Sequence, residues 1–395
     1  MKTIKALSFS SLYTGVMLFL LYHIVLVRFP YWQAYVPVQR IMALILAVLI
    51  LPKIPYIRLP EKTGWLLGIY LALTLLSAAV NEGHYDYTHP LVSGSFYVLA
   101  VLEVLAVFSY VIRVKGLWFA AQFLFFLSTV YVLINDWLIW LDPYCFYPFG
   151  RYYFLGNKFA VSYKHLEIMV LYMLTRRKFR LSYRHKLTLV VLAAVSLLAA
   201  VRVNCMTGAV GIFLLTILLI AGKQSFLAHK PVMAVLIMMA GVFPFAYDYV
   251  MGMQGIQYII VNILHRTKGL TGRVQIFDAL PQILQGHLLL GYGHNTAYEV
   301  WITATDWYPN AQNGFWNCVC EQGLPAAVLL SVLAVMSVWK SRKGYAVLAV
   351  VYVYAFLGAV EITMDIVFIT WVILLYVIKE AEHETAACQR HCTGL

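Results

Sequence analysis

Charge is scarce in this chain. Only 12% of its 395 residues are Asp, Glu, Lys or Arg, against 62% hydrophobic, which leaves too little polar surface to cover a water-soluble globule. The mean hydropathy of +0.79 is spread over the whole length, so a soluble domain with one anchor or a cleavable signal is excluded. Cysteine is sparse as well. Cys145, Cys205, Cys318, Cys320, Cys388 and Cys392 are scattered and give no disulfide framework. The tail residues His383, Cys388, His391 and Cys392 lack the spacing of a structural zinc site. Acidic residues number 17 against 29 Lys and Arg, for a net charge of +12. In a soluble protein that excess would suggest nucleic acid. Here no basic run is interleaved with stacking aromatics on a polar face, and polytopic proteins gather Lys and Arg in their cytoplasmic loops, so no nucleic-acid partner is expected.

What the chain has in abundance is apolar runs. At about 20 residues per crossing, the punctuation of those runs predicts spans near 9–28, 38–52, 64–80, 91–112, 117–136, 159–175, 187–203, 208–222, 231–249, 316–339, 345–360 and 363–378. The expected fold is therefore an all-α polytopic membrane protein of about twelve transmembrane helices. Residues 1–395 form a single integral membrane domain. With both termini cytoplasmic, 20 of the 29 basic residues fall in inner segments, and the opposite orientation inverts that asymmetry.

The nine basic residues left over are Arg28, Arg40, Arg151, Lys158, Lys164, Arg202, Arg266, Lys268 and Arg273. Arg28 and Arg40 read as snorkelling residues at span ends, and Arg202 lies at a short outer turn. The other six fall in or beside two longer outer segments, about 137–158 and about 250–315. The second is the only long hydrophilic connection, and connections of that length are usually functional. Within it, Gly255 to Leu264 reads as a short amphipathic surface helix. Thr271 is expected to cap a second helix from Gly272 to about Gln285, which Gly286, Gly291 and Gly293 break before an irregular aromatic stretch around Trp301, Trp307, Tyr308 and Pro309.

An outward site with excess Arg, apolar walls and no metal-ligand cluster points to an anionic head group on a lipid, with diphosphate fitting best. Arg273 leads the candidates because it opens a predicted helix, where free backbone N–H groups and the helix dipole also favour an anion; its simplest alternative is an ion pair with Asp278. Arg266 and Lys268 are either further anion ligands or interfacial charges. Lys164 and Glu167, three apart on one helix face, are expected to neutralise each other inside the bundle. Asp136, Asp142 and Asp248 are expected at solvated interfaces. Glu361 and Asp365, around the last short outer turn, are structural or line the groove.

The run Thr271 to Tyr298, TGRVQIFDALPQILQGHLLLGYGHNTAY, followed by Asn310 to Ala326, NAQNGFWNCVCEQGLPA, resembles the signature of the O-antigen polymerase and ligase superfamily. That signature is a GR-initiated helix, a GxG turn, and an HN-type motif with Glu and Gly-Leu opening the next span. Leu155 to Lys158, LGNK, and Met206 to Ala209, MTGA, are weaker matches upstream. The resemblance covers about half the chain and rests on the order and spacing of the motifs.

It implies an inverting, metal-independent glycosyltransferase of the bacterial cytoplasmic (inner) membrane. The donor and acceptor would be polyprenyl-diphosphate-linked glycans, with no cofactor. A polymerase joining repeat units into a surface polysaccharide is favoured, in the company of a chain-length regulator. A ligase-type transfer to a lipid or protein acceptor is the alternative, and a polytopic transporter the reading from another class. Arginine supplies charge to the leaving diphosphate, and a loop histidine takes the proton of the acceptor hydroxyl. Gln312 stands where that histidine is expected, and His294 is the substitute, with His265 and His287 behind it. Thr207 stands where many ligases carry arginine, a role Arg202 would fill. The implied catalytic set is His294, Arg273 and Glu321, with Glu321 holding Arg273 or a sugar hydroxyl. Arg266, Lys268, Arg202, Lys158, Gln312 and Asn313 are the implied diphosphate and glycan contacts.

Overall fold

The computed structural model describes residues 9–27, 29, 35–57, 59, 61–142, 152–176, 182–221, 224–258, 261–262 and 272–393. It is about 80% helical. In chain order the helices are α1 (Phe9–Leu21), α2 (Tyr35–Ile50), α3 (Glu61–Val80), α4 (Pro90–Lys115), α5 (Leu117–Leu141), α6 (Lys158–Leu174), α7 (Tyr183–Arg202), α8 (Met206–Ala221), α9 (Gln224–Leu227) and α10 (Lys230–Gly252). They continue with α11 (Gln254–Tyr258), α12 (Arg273–Ile283), α13 (Ala297–Thr305), α14 (Gly314–Gln322), α15 (Leu324–Ser337), α16 (Tyr345–Leu357) and α17 (Ile366–Thr393). A two-residue antiparallel pair, Tyr152–Tyr153 with Gly156–Asn157, precedes α6.

Among the described residues six helices are long and apolar enough to cross a bilayer: Tyr35–Tyr56, Lys62–Val80, Pro90–Lys115, Leu117–Leu141, Tyr183–Arg202 and Lys230–Gly252. Ser10–Leu26, Met206–Ala221, Leu324–Ser337 and Tyr345–Leu357 are apolar but shorter. Large apolar side chains lie bare along the outside of the bundle, among them Trp65 at 70% exposure and Val48 at 65%. Surface of that kind belongs against lipid, and the chain is a membrane protein. In contrast, α16 is apolar all round and all but one of its residues is buried, as a helix without a polar face must be.

Long-range hydrogen bonds sort the helix ends into two sets. At one end Trp118 of α5 donates to the Thr175 carbonyl after α6, Tyr345 at the start of α16 to the Leu218 carbonyl near the end of α8, and Arg113 of α4 pairs with Glu384 of α17. At the other, the 81–89 turn meets the segment around residues 291–299, and the turns at 203–206 and 358–365 come together.

Three local expectations are corrected. The run 316–339 is two helices, because Gly323 takes a left-handed φ of +86° and a Cβ there would lie 2.0 Å from the Leu289 carbonyl oxygen. The segment folded against this break donates Tyr292 N–H to the Cys320 carbonyl and accepts from Leu324 N–H at the Leu288 carbonyl. The aromatic stretch is not wholly irregular: Trp301 lies inside α13 and is fully buried, leaving Trp307 exposed. Asp136 is not simply solvated, since it sits 3.3 Å from His165 Nε2 at 15% side-chain exposure. The α12 helix forms as expected but begins on Gly272, with φ +82° and no side-chain cap; Thr271 and most of the expected 255–264 surface helix beyond Tyr258 lie outside the described residues. The expected Lys164–Glu167 pair is present, buried, at 2.6 Å.

Candidate functional site

The second set of helix ends carries an ion pair and a histidine–carboxylate contact. At one edge α12 opens with Arg273, whose Nη2 donates to Glu361 Oε1 at 2.8 Å and to the Val360 carbonyl at 3.1 Å. Gly272 makes this entry possible, because the Tyr308 ring lies 2.8 Å from where its Cβ would be. Thr207, at the start of α8, donates to the same Glu361 oxygen at 3.2 Å. Lys158, at the start of α6, directs its charge at this carboxylate as well. It is placed by Asn157, which caps α6 by accepting from the Phe159 and Ala160 N–H groups. The first turns of α8 and α12 thus meet on one carboxylate of the turn before α17.

Burial pushes the Glu361 carboxyl up to about 7, against the pull of Arg273, Thr207 and Lys158 toward its charged form. Its side chain is 8% exposed and that of Arg273 13%. Arg273 Nε is buried and, among the described residues, has no partner.

At the opposite edge His294 Nδ1 lies 3.5 Å from Glu321 Oε2 and 3.5 Å from Gln322 Nε2. The imidazole packs on the Tyr97 ring, centroids 4.5 Å apart, and Ser93 Oγ donates to the His294 carbonyl at 2.8 Å. The Glu321 carboxylate and the Gln322 amide beside Nδ1, with the Tyr97 ring against its face, fix the orientation of the imidazole.

One short helix spaces the two edges. Gly314, at the start of α14, donates its N–H to the Gly358 carbonyl of the turn that carries Glu361, and Glu321 is near its end. Seven residues of rise make that interval about 10 Å. Asp365 stands four residues after Glu361, at the end of the same turn. Its Oδ1 also accepts from the Val367 and Phe368 N–H groups and so caps α17.

The remaining residues implied by the sequence distribute unevenly. The structure pairs Arg273 with Glu361, and neither Asp278 nor Glu321 takes that place; Glu321 serves His294 instead. Asn313 is a correction. It is fully buried, its amide donates to the Ala240 and Ala359 carbonyls, and its oxygen caps α14 at Trp316 N–H, so both donor hydrogens are used within the fold. Gln312 adopts a left-handed φ of 43° and is half-buried beside it. Arg202 is exposed and stands over the Trp140 ring at 5.4 Å, while Thr207, not Arg202, contacts the site. His287 stacks on Tyr292 with centroids 3.9 Å apart. His265, Arg266 and Lys268 lie outside the described residues.

Glu361 as the anchor of Arg273 had no local signal, because its partner is on a different helix in a distant part of the chain. Among the described residues no three His, Cys, Asp or Glu gather as a metal-binding group. The chain matches no protein-family model and no curated protein.

Proposed function

We propose that the protein is a polytopic glycosyltransferase similar to the O-antigen polymerases and ligases. It would cross the cytoplasmic membrane about twelve times, with both termini inside, and polymerise polyprenyl-diphosphate-linked repeat units at its outer face. The observation that carries this reading is that α14 links the turn bearing the Arg273–Glu361 pair, at its start, to the His294–Glu321 contact, near its end, at the helix ends that the basic-residue count puts outside. Arg273 and Lys158 supply positive charge at the edge where α12 begins, suited to a departing diphosphate. His294, turned by Glu321, supplies a base at the other edge, suited to an acceptor hydroxyl. Attack from one side and departure on the other is the arrangement an inverting displacement needs.

The test is purified protein in lipid given a polyprenyl-diphosphate oligosaccharide. Elongation that is lost in Arg273→Ala and in His294→Ala supports the reading. Solute uptake into vesicles lacking any lipid-linked glycan would instead make the protein a transporter.

A further inference from the structure

The Arg273–Glu361 pair raises a difficulty for any anion that is to use Arg273. The guanidinium already serves a carboxylate through Nη2, and that carboxylate would repel a phosphate arriving on the same fork. Counting the groups that face Glu361 sharpens the point. Arg273 comes from α12, Lys158 and Tyr163 from α6, Thr207 from α8 and Cys205 from the turn before it. On the side of Glu361's own turn, Asp365 adds a second acidic group, whose charge Tyr163 also feels. Among the described residues two cations thus face two carboxyl groups, which leaves no surplus positive charge from them for a doubly charged ligand.

The hydrogen bonding of Glu361 is one-sided. Oε1 takes both the Arg273 and the Thr207 hydrogen bonds, whereas among the described residues nothing donates to Oε2. The side chain also keeps some exposure. One oxygen is an anchor and the other takes no hydrogen bond from the described residues. A proton can therefore settle on Oε2 without breaking either bond to Oε1, and the neutral acid then offers an O–H toward whatever sits beside Arg273.

We propose that this site binds a phosphate or diphosphate anion together with one proton, which Glu361 takes up from solvent on Oε2 and presents to the anion as a hydrogen-bond donor. This rests on the reading of Arg273 as a phosphate ligand given above. Uptake removes the repelling charge and adds a donor in one step, while Thr207 and Arg273 keep the side chain in place. The position of this carboxyl's titration, at about 7, puts the exchange within reach of ordinary pH. A bound anion raises it further, since negative charge beside a carboxyl favours the protonated form.

The probe is the symmetrical dimethyl diester of diphosphate, whose own charges do not titrate near neutrality, added to the full-length protein in lipid nanodiscs. Its affinity is measured by calorimetry at about pH 6 and about pH 8, in buffers of different ionisation heat. The expected result is affinity about tenfold tighter at the lower pH, with a buffer-dependent heat that reports proton uptake. Glu361→Gln keeps an oxygen for Arg273 and Thr207, and should bind equally at both pH values with no uptake. Binding by the parent without pH dependence or proton uptake would overturn the inference and leave Arg273 as a phosphate ligand, as would pH dependence that persists in Glu361→Gln. If the parent binds no diester at either pH, the phosphate reading of Arg273 itself fails. If Glu361→Gln does not fold, the buffer dependence of the parent's heat still decides.

Discussion

Arg273 and Glu361 stand 88 positions apart in the chain and 2.8 Å apart in the fold. The pair ties the first turn of α12 to the turn between α16 and α17, and with Thr207 it binds α8 to both. Removing Glu361 leaves Arg273 charged and nearly buried, whereas removing Arg273 lets burial carry the carboxyl toward its neutral form, so the loss of either has a structural and a functional side.

Arg273→Ala should abolish polymer, with a loss of at least about 100-fold, while protein remains in the membrane. Lys should rescue poorly, because a point charge cannot span Glu361, Val360 and an anion as a planar fork does. Quantified polymer from a strain carrying each variant checks this. Parental amounts with Lys would mean that only the charge matters.

His294→Ala should cost about 10² to 10⁴ in rate and remove the fall of activity in acid that protonating the imidazole causes. Glu321→Gln should cost less and keep that limb, since it disturbs only the orientation of the ring. A pH profile of His294→Ala identical in shape to the parent's would move the base elsewhere.

On the alkaline side the sign is opposite. Glu361 carries its proton below about 7 and loses it above, so donor binding weakens as pH rises through that value. The KM for lipid-linked donor should climb from about pH 7 upward in the parent and stay flat in Glu361→Gln. Flat profiles in both would separate Glu361 from donor binding. Chelator should leave the rate unchanged throughout, because Arg273 and Lys158 supply the charge that a divalent ion would bring; activity that stops in EDTA and returns with Mg²⁺ would refute this.

Thr303 is exposed on α13 and Ser182 is exposed ahead of α7. A cysteine at Thr303 should react with an impermeant thiol reagent in intact cells, and one at Ser182 should not. The reverse pattern would invert the orientation and with it the placement of the site.

Gly323→Ala should prevent folding or cost about 3 kcal/mol or more, since a Cβ would collide with the Leu289 carbonyl at an already left-handed φ. Gly83 shares the positive φ, at +81°, but faces open space, so Gly83→Ala should cost only about 1 kcal/mol. Thermal unfolding in detergent compares the two; equal losses would show that backbone strain, not the collision, sets the cost.

Composition alone determined that this chain belongs in a bilayer, because burial in lipid is a bulk property that sums over residues without regard to their partners. Periodicity and punctuation likewise located the helices, since a helix closes its backbone hydrogen bonds within its own segment. Arg273 and His294 stood out for local reasons: one opens a helix, the other follows a Gly-rich turn. Which carboxylate each would meet did not. Glu361 and Glu321 are both acidic residues near span ends, and only the packing of α14 between the 286–293 segment and the 358–365 turn decided which cation each would meet. The same packing spent Asn313 on capping and on two carbonyls, although in sequence it stands beside Gln312 in the most site-like motif of the loop. A buried charge or amide takes its role from the groups that surround it in space, and those groups come from distant parts of the chain.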